Sequence, residues 1–123
     1  MAGPSIKSVV RPVNSEIQAT VSVSGTASDE IDLGGDQLVG IFVPSTFDGT
    51  NITLTASPTS GGTFVAVQNG DGDSGAYTIT TTASRFVPID NLAITAGLRF
   101  VKLVCATAQS TSPTIFTLAT RPI

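Results

Sequence analysis

The thirty residues from Leu38 to Val67 read LVGIFVPSTFDGTNITLTASPTSGGTFVAV, and they decide the fold class. Gln37 to Val43 is apolar at nearly every position, which predicts a strand covered on both faces. Pro44 ends it, because proline brings no N–H to a ladder. Asn51 to Ala56 alternates polar and apolar, placing Ile52, Leu54 and Ala56 on one face of a second strand. After Ser57–Gly62, with Pro58 and the Gly61-Gly62 pair as turn signals, Thr63 to Val67 supplies a third. Three strands in sequence order read as a β-meander.

Upstream, Glu16 to Val23 alternates with Ile17, Ala19, Val21 and Val23 in phase, so one side of that strand is wet. Ala27 to Leu33 is a further short strand, and Gly34-Gly35-Asp36 turns the chain into the central stretch. Residues 1–14 carry Pro4 and Pro12 around Ile6, Val9 and Val10, which argues for an extended N-terminal arm or an edge strand. Downstream, Tyr77–Thr81, Arg85–Ile89, Arg99–Ala106 and Pro113–Thr120 read as strands. Asp90 to Gly97 holds one helical turn with Asp90 as its cap. The connections are too short for helical crossovers, so pairing is expected to be antiparallel. The expectation is an all-β, antiparallel β-sandwich of jelly-roll or Greek-key type with about eight to ten short strands. It comprises the arm, residues 1–14, and one domain, residues 15–123.

Composition narrows the function more than it names one. The chain has 123 residues, enough for a core without disulfides, and few charges on a surface rich in Thr and Ser. Its six basic residues, Lys7, Arg11, Arg85, Arg99, Lys102 and Arg121, are scattered in a chain of net charge −3. No basic stripe exists to neutralise a run of phosphates, which argues against nucleic acid as a partner. No basic amphipathic helix or long apolar run argues for a membrane. The first residues show neither a charged n-region nor an apolar h-region, so synthesis and folding in a cytoplasm is expected.

Chemistry-bearing patterns are few. The chain lacks His, which removes Ser–His and Cys–His nucleophiles and, with a single Cys, leaves zinc poorly served. Cys105 lies in the apolar run Phe100–Cys105 and reads as a small buried hydrophobe. Asp29, Glu30, Asp32 and Asp36 offer a carboxylate cluster, and a solvated edge that blocks strand pairing explains them better than glycoside hydrolysis. Asn69 to Gly75 places oxygen ligands at alternate positions as a calcium loop does, but Thr80 stands where an EF-hand needs its bidentate Glu. A plain hairpin loop is the simpler reading, and no cofactor is expected. Phe42, Phe64, Phe86, Phe100 and Phe116 fall in strand-like runs and are expected in the core. Phe47, in the loop Ser45–Gly49, is either tucked beneath that loop or presented to a partner.

A set of short stretches carries a resemblance. They are Ile31–Gly35 leading into Leu38–Pro44, then Ile52–Ser57, Gly61–Phe64, Ala83–Ile89, Gly97–Leu103 and Phe116–Pro122. In this order, over about three quarters of the chain, they resemble a family of small tailed-bacteriophage virion proteins, and in particular capsid decoration (cement) proteins. The resemblance implies a non-enzymatic role on the virion, at the outer surface of the capsid. The implied partner is the major capsid protein, with the chain itself a homo-oligomer, dimer or trimer. Ile6, Val9 and Val10 in the arm, together with Phe47, are the expected partner-binding residues, the arm adding a strand to a partner's sheet edge. A tail, baseplate or head-fibre component would share the same pattern. A carbohydrate-binding jelly roll is a different class, opposed by the absence of Trp and the single Tyr77.

Overall fold

A computed structural model describes residues 15–70, 75–110 and 113–122. The arm, with Ile6, Val9 and Val10, lies outside the described residues, as do positions 71–74 of the proposed calcium loop. Nine strands form two sheets. The first sheet runs β1 (Ser15–Val21), β9 (Thr114–Pro122), β3 (Asp36–Val43), β7 (Arg85–Pro88). The second runs β2 (Ile31–Asp32), β8 (Phe100–Cys105), β4 (Asn51–Ser57), β5 (Val65–Ala66), with β6 (Thr78–Thr80) pairing the other half of β4. Every pairing is antiparallel. The first and last strands lie side by side, and β8 separates β2 from β4. Such non-sequential neighbours are what Greek-key connections produce.

Each sheet turns one face inward. Ala19, Val21, Phe116, Leu118, Leu38 and Ile41 come from the first sheet, and Ile52, Leu54, Val101 and Leu103 from the second, all fully buried. Burying a side chain of this size contributes about 1.5–3 kcal/mol over leaving it in water. The period-two pattern predicted for β1, β4 and β8 holds, because those strands have one wet face and one dry face.

The central stretch departs from a meander. β3 and β4 belong to opposite sheets, and Pro44–Thr50 carries the chain across the sandwich between them. β3 is likewise not covered on both faces. Its pairing with β9 slips between Leu38 and Gly40, a β-bulge with Val39 as the extra residue. The slip changes the side-chain phase, so Leu38 and Ile41 both point inward although three residues apart. A continuous apolar run therefore reports a phase change here, and Phe42 is left on the outside. Two groups from elsewhere satisfy the irregular backbone: Ile89 N–H donates to the Val39 carbonyl, and the Thr95 hydroxyl donates to the Leu38 carbonyl.

Thr95 belongs to α1 (Leu92–Thr95), the helical turn expected after Ile89. Asn91, not Asp90, caps it, its side chain accepting from Ala93 N–H. Asp90 instead accepts from the Tyr77 hydroxyl at 2.7 Å. The third strand of the central stretch shrinks to Val65–Ala66, both exposed, and Thr63 and Phe64 lie outside it.

Candidate functional site

The phenylalanines sort in the opposite way to their sequence contexts. Phe47 is 6% exposed and its ring meets Phe116 edge-on, with centroids 5.6 Å apart. It is a core residue, tucked under its loop, and offers no surface to a partner. The loop is held by Gln109, fully buried, whose side-chain carbonyl accepts from Asp48 N–H while its amide donates to the Asp48 and Thr107 carbonyls. Replacing Gln109 with leucine leaves those three backbone groups without their partner. The expected loss is about 2–3 kcal/mol of unfolding free energy by urea titration.

Phe42 and Phe86, expected inside, are instead 45% and 47% exposed. They stand opposite each other on β3 and β7, with ring centroids 4.6 Å apart and planes tilted by 50°. The ring of Phe86 lies over Gly40, where a Cβ would collide with it. Gly40 faces Pro88 on one side and Ala119 on the other, and Phe42 faces Thr117 on β9. Ile115, 41% exposed, lies further along the same strand. The outer face of the first sheet thus presents an apolar patch centred on two stacked rings, with no charged side chain between them.

Beside this face runs a trough. A groove of about 340 Å³ is lined by Thr80, Thr81, Arg85, Phe86, Val87 and Pro88. A second, of about 400 Å³, continues it past Thr80, Val87 and Pro88 to Tyr77, Ile79 and Asp90. The trough follows the free side of β7, where the edges of the two sheets, β6 and β7, face each other. Ser84 N–H donates to the Pro44 carbonyl, so residues 84, 86 and 88 address β3. The backbone groups of Arg85 and Val87 consequently point outward.

The remaining candidates resolve into structural roles. Glu30 accepts from the Ser60 hydroxyl and Gly61 N–H, and these bonds hold its pKa below the usual carboxylate range. Asp32 is held low by its bond from Arg99 and then by Gly34 N–H, and Asp48 by the Ser110 N–H and hydroxyl. Asp29 accepts from Thr20 N–H. Three of the four clustered acids thus tie turns and edges together. A group whose folded-state pKa is depressed contributes stability above its unfolded pKa and loses it as pH falls through the folded value. The melting temperature is therefore expected to fall between about pH 5 and about pH 3, and combining Glu30→Gln, Asp32→Asn and Asp48→Asn should flatten that dependence.

Cys105 is 2% exposed, and burial pushes its thiol pKa up to about 11, so it is a poor nucleophile. Burial, and then the bond to Asp90, pushes the Tyr77 hydroxyl up to about 12. Around the described ends of the Asn69–Gly75 loop, Gln68 and Ala76 form an antiparallel bridge and Asn69 N–H donates to the Gly75 carbonyl, the geometry of a hairpin. Among the described residues, no three His, Cys, Asp or Glu side chains group to hold a metal ion, and no helix is long and apolar enough to cross a membrane. The surface that remains for function is the Phe42–Phe86 face with its trough. Sequence reasoning missed it because two residues far apart in the chain meet only through the β3–β7 register.

No protein-family model, no curated protein and no solved structure matches the chain.

Proposed function

We propose that the chain is a non-enzymatic structural protein of a tailed bacteriophage, a decoration protein that binds the outside of the head and stabilises contacts between major capsid protein subunits. The observation that carries the reading is the exposed Phe42–Phe86 pair on the outer face of the first sheet. Stacked, half-exposed aromatic rings on a surface otherwise built of Thr and Ser mark a place where another protein sits. The resemblance of the strand-and-turn pattern to phage virion proteins supplies the class of partner. A protein of this kind acts by mass action: it binds the assembled shell and not its separated subunits, so each bound copy stabilises the shell. Assembly of the chain into a dimer or trimer would multiply the footholds, because each further contact is effectively intramolecular.

The test is quantitative mass spectrometry of purified virions of the phage that encodes the chain, counting its copies against the major capsid protein. A copy number in the hundreds supports a capsid-lattice site. A handful to a few dozen moves the chain to tail, baseplate or fibre, and absence from the particle ends the virion reading.

A further inference from the structure

We infer that the trough along β7 receives the N-terminal arm of a second copy of this chain, which adds a strand to the first sheet and joins copies by strand exchange. The inference starts from the two edges of that sheet. The free side of β1 is partly closed: Val21 bridges Ser28, and Thr20 and Asp29 bond reciprocally through Thr20 N–H to the Asp29 carboxylate and Asp29 N–H to the Thr20 carbonyl. The free side of β7 is open. Arg85 and Val87 present their backbone groups there, and Phe86, Val87, Pro88 and Ile79 give the adjoining surface its apolar character. Pro88 does not block this edge, because its missing N–H falls on the β3 side.

The arm fits that edge in sequence, charge and reach. Between Pro4 and Pro12, residues 5–11 form an unbroken run of seven N–H donors, a strand's length bracketed by residues that stop a ladder. In an extended chain Ile6 and Val10 share one face and Lys7, Val9 and Arg11 the other. Ile6 and Val10 suit the trough, and Val9 then lies beside Phe86. The arm carries Lys7 and Arg11 and no acid, whereas residues 15–123 carry four basic and nine acidic residues, a balance of −5. Opposite charges draw the two together.

Reach decides whose arm it is. Four residue steps separate Arg11 from Ser15, which spans at most about 13–14 Å. From β1 across β9 and β3 to β7 and one strand beyond is four inter-strand steps, about 19 Å. A chain cannot lay residues 5–11 along its own β7, so the occupant comes from a neighbour. This assignment is independent of the capsid reading.

The experiment uses the full chain carrying Val9→p-benzoyl-phenylalanine, mixed with an isotope-labelled wild-type chain and irradiated. Cross-linked peptides joining the arm of one isotope to residues 77–90 of the other are expected. Light scattering should give at least about twice the monomer mass of 12.5 kDa, falling to the monomer in the Ile6→Asp, Val10→Asp variant. Those substitutions lie outside the sandwich and leave its circular dichroism as the folding control. Links confined to one chain, links to other surfaces, or a wild-type chain that is monomeric at about 50 µM each overturn the proposal.

Discussion

Truncating Phe116 to alanine is expected to lower the free energy of unfolding by about 3–5 kcal/mol. Phe116 is fully buried in the middle of β9, the strand that both β1 and β3 pair with. Its partner in β1 is Ala19, too small to move into the space left behind. The loss also reaches beyond β9. Phe47 would lose the edge-on ring that holds it beneath the Ser45–Gly49 loop, an arrangement that adds about 0.5–1.5 kcal/mol to area burial alone. That loop carries the chain from one sheet to the other, so its loosening couples the two halves of the sandwich. Urea titration and thermal melting measure the effect, with a fall in melting temperature of more than about 10 °C expected. Phe42→Ala is the internal comparison, because a ring already half in water leaves only a shallow defect, about 1 kcal/mol or less. If the two substitutions cost the same, the assignment of inner and outer faces of the first sheet is wrong.

The contrast between these two phenylalanines also shows what a sequence of this kind makes legible. Alternation identified β1, β4 and β8 and their buried faces, since a strand with one wet side writes its period directly into the residue types. Proline and glycine placed the turns, and Asp90–Gly97 gave the lone helical turn to within one residue of its cap. The central run 37–43 hid its organisation because a bulge at Val39 puts Leu38 and Ile41 on the same face. An uninterrupted apolar run then looks identical to a strand buried on both sides. Phe47 was ambiguous for a different reason: a loop residue is buried or exposed according to what folds beneath it, here Phe116 from a strand almost seventy residues away. The candidate surface was least legible of all. Phe42 and Phe86 become neighbours through cross-strand register, which no local pattern encodes.

Replacing Phe42 and Phe86 together with serine is expected to weaken binding to assembled heads by at least about 100-fold, while the sandwich keeps its stability to within about 1 kcal/mol. The first magnitude follows from hot-spot behaviour, in which a central aromatic residue lost from a desolvated contact costs about 2 kcal/mol or more, and each 1.4 kcal/mol is tenfold in affinity. The second follows from exposure: both rings are close to half in water, and neither lies between the sheets. The pair stabilises itself by mutual contact at 4.6 Å and by the seat Phe86 takes on Gly40, and both are surface interactions. Sedimentation of the protein with purified heads, read against melting temperature, separates the effects. Phe86 also lines the trough assigned to a neighbour's arm, whereas Phe42 does not, so the single variants divide the two roles. Phe42→Ser should lose head binding and keep the oligomer, and Phe86→Ser should weaken both. Full head binding by the double variant would move the capsid-facing surface away from the first sheet, and a loss of oligomerisation in Phe42→Ser would mean that the aromatic face and the arm's groove are one interface rather than two.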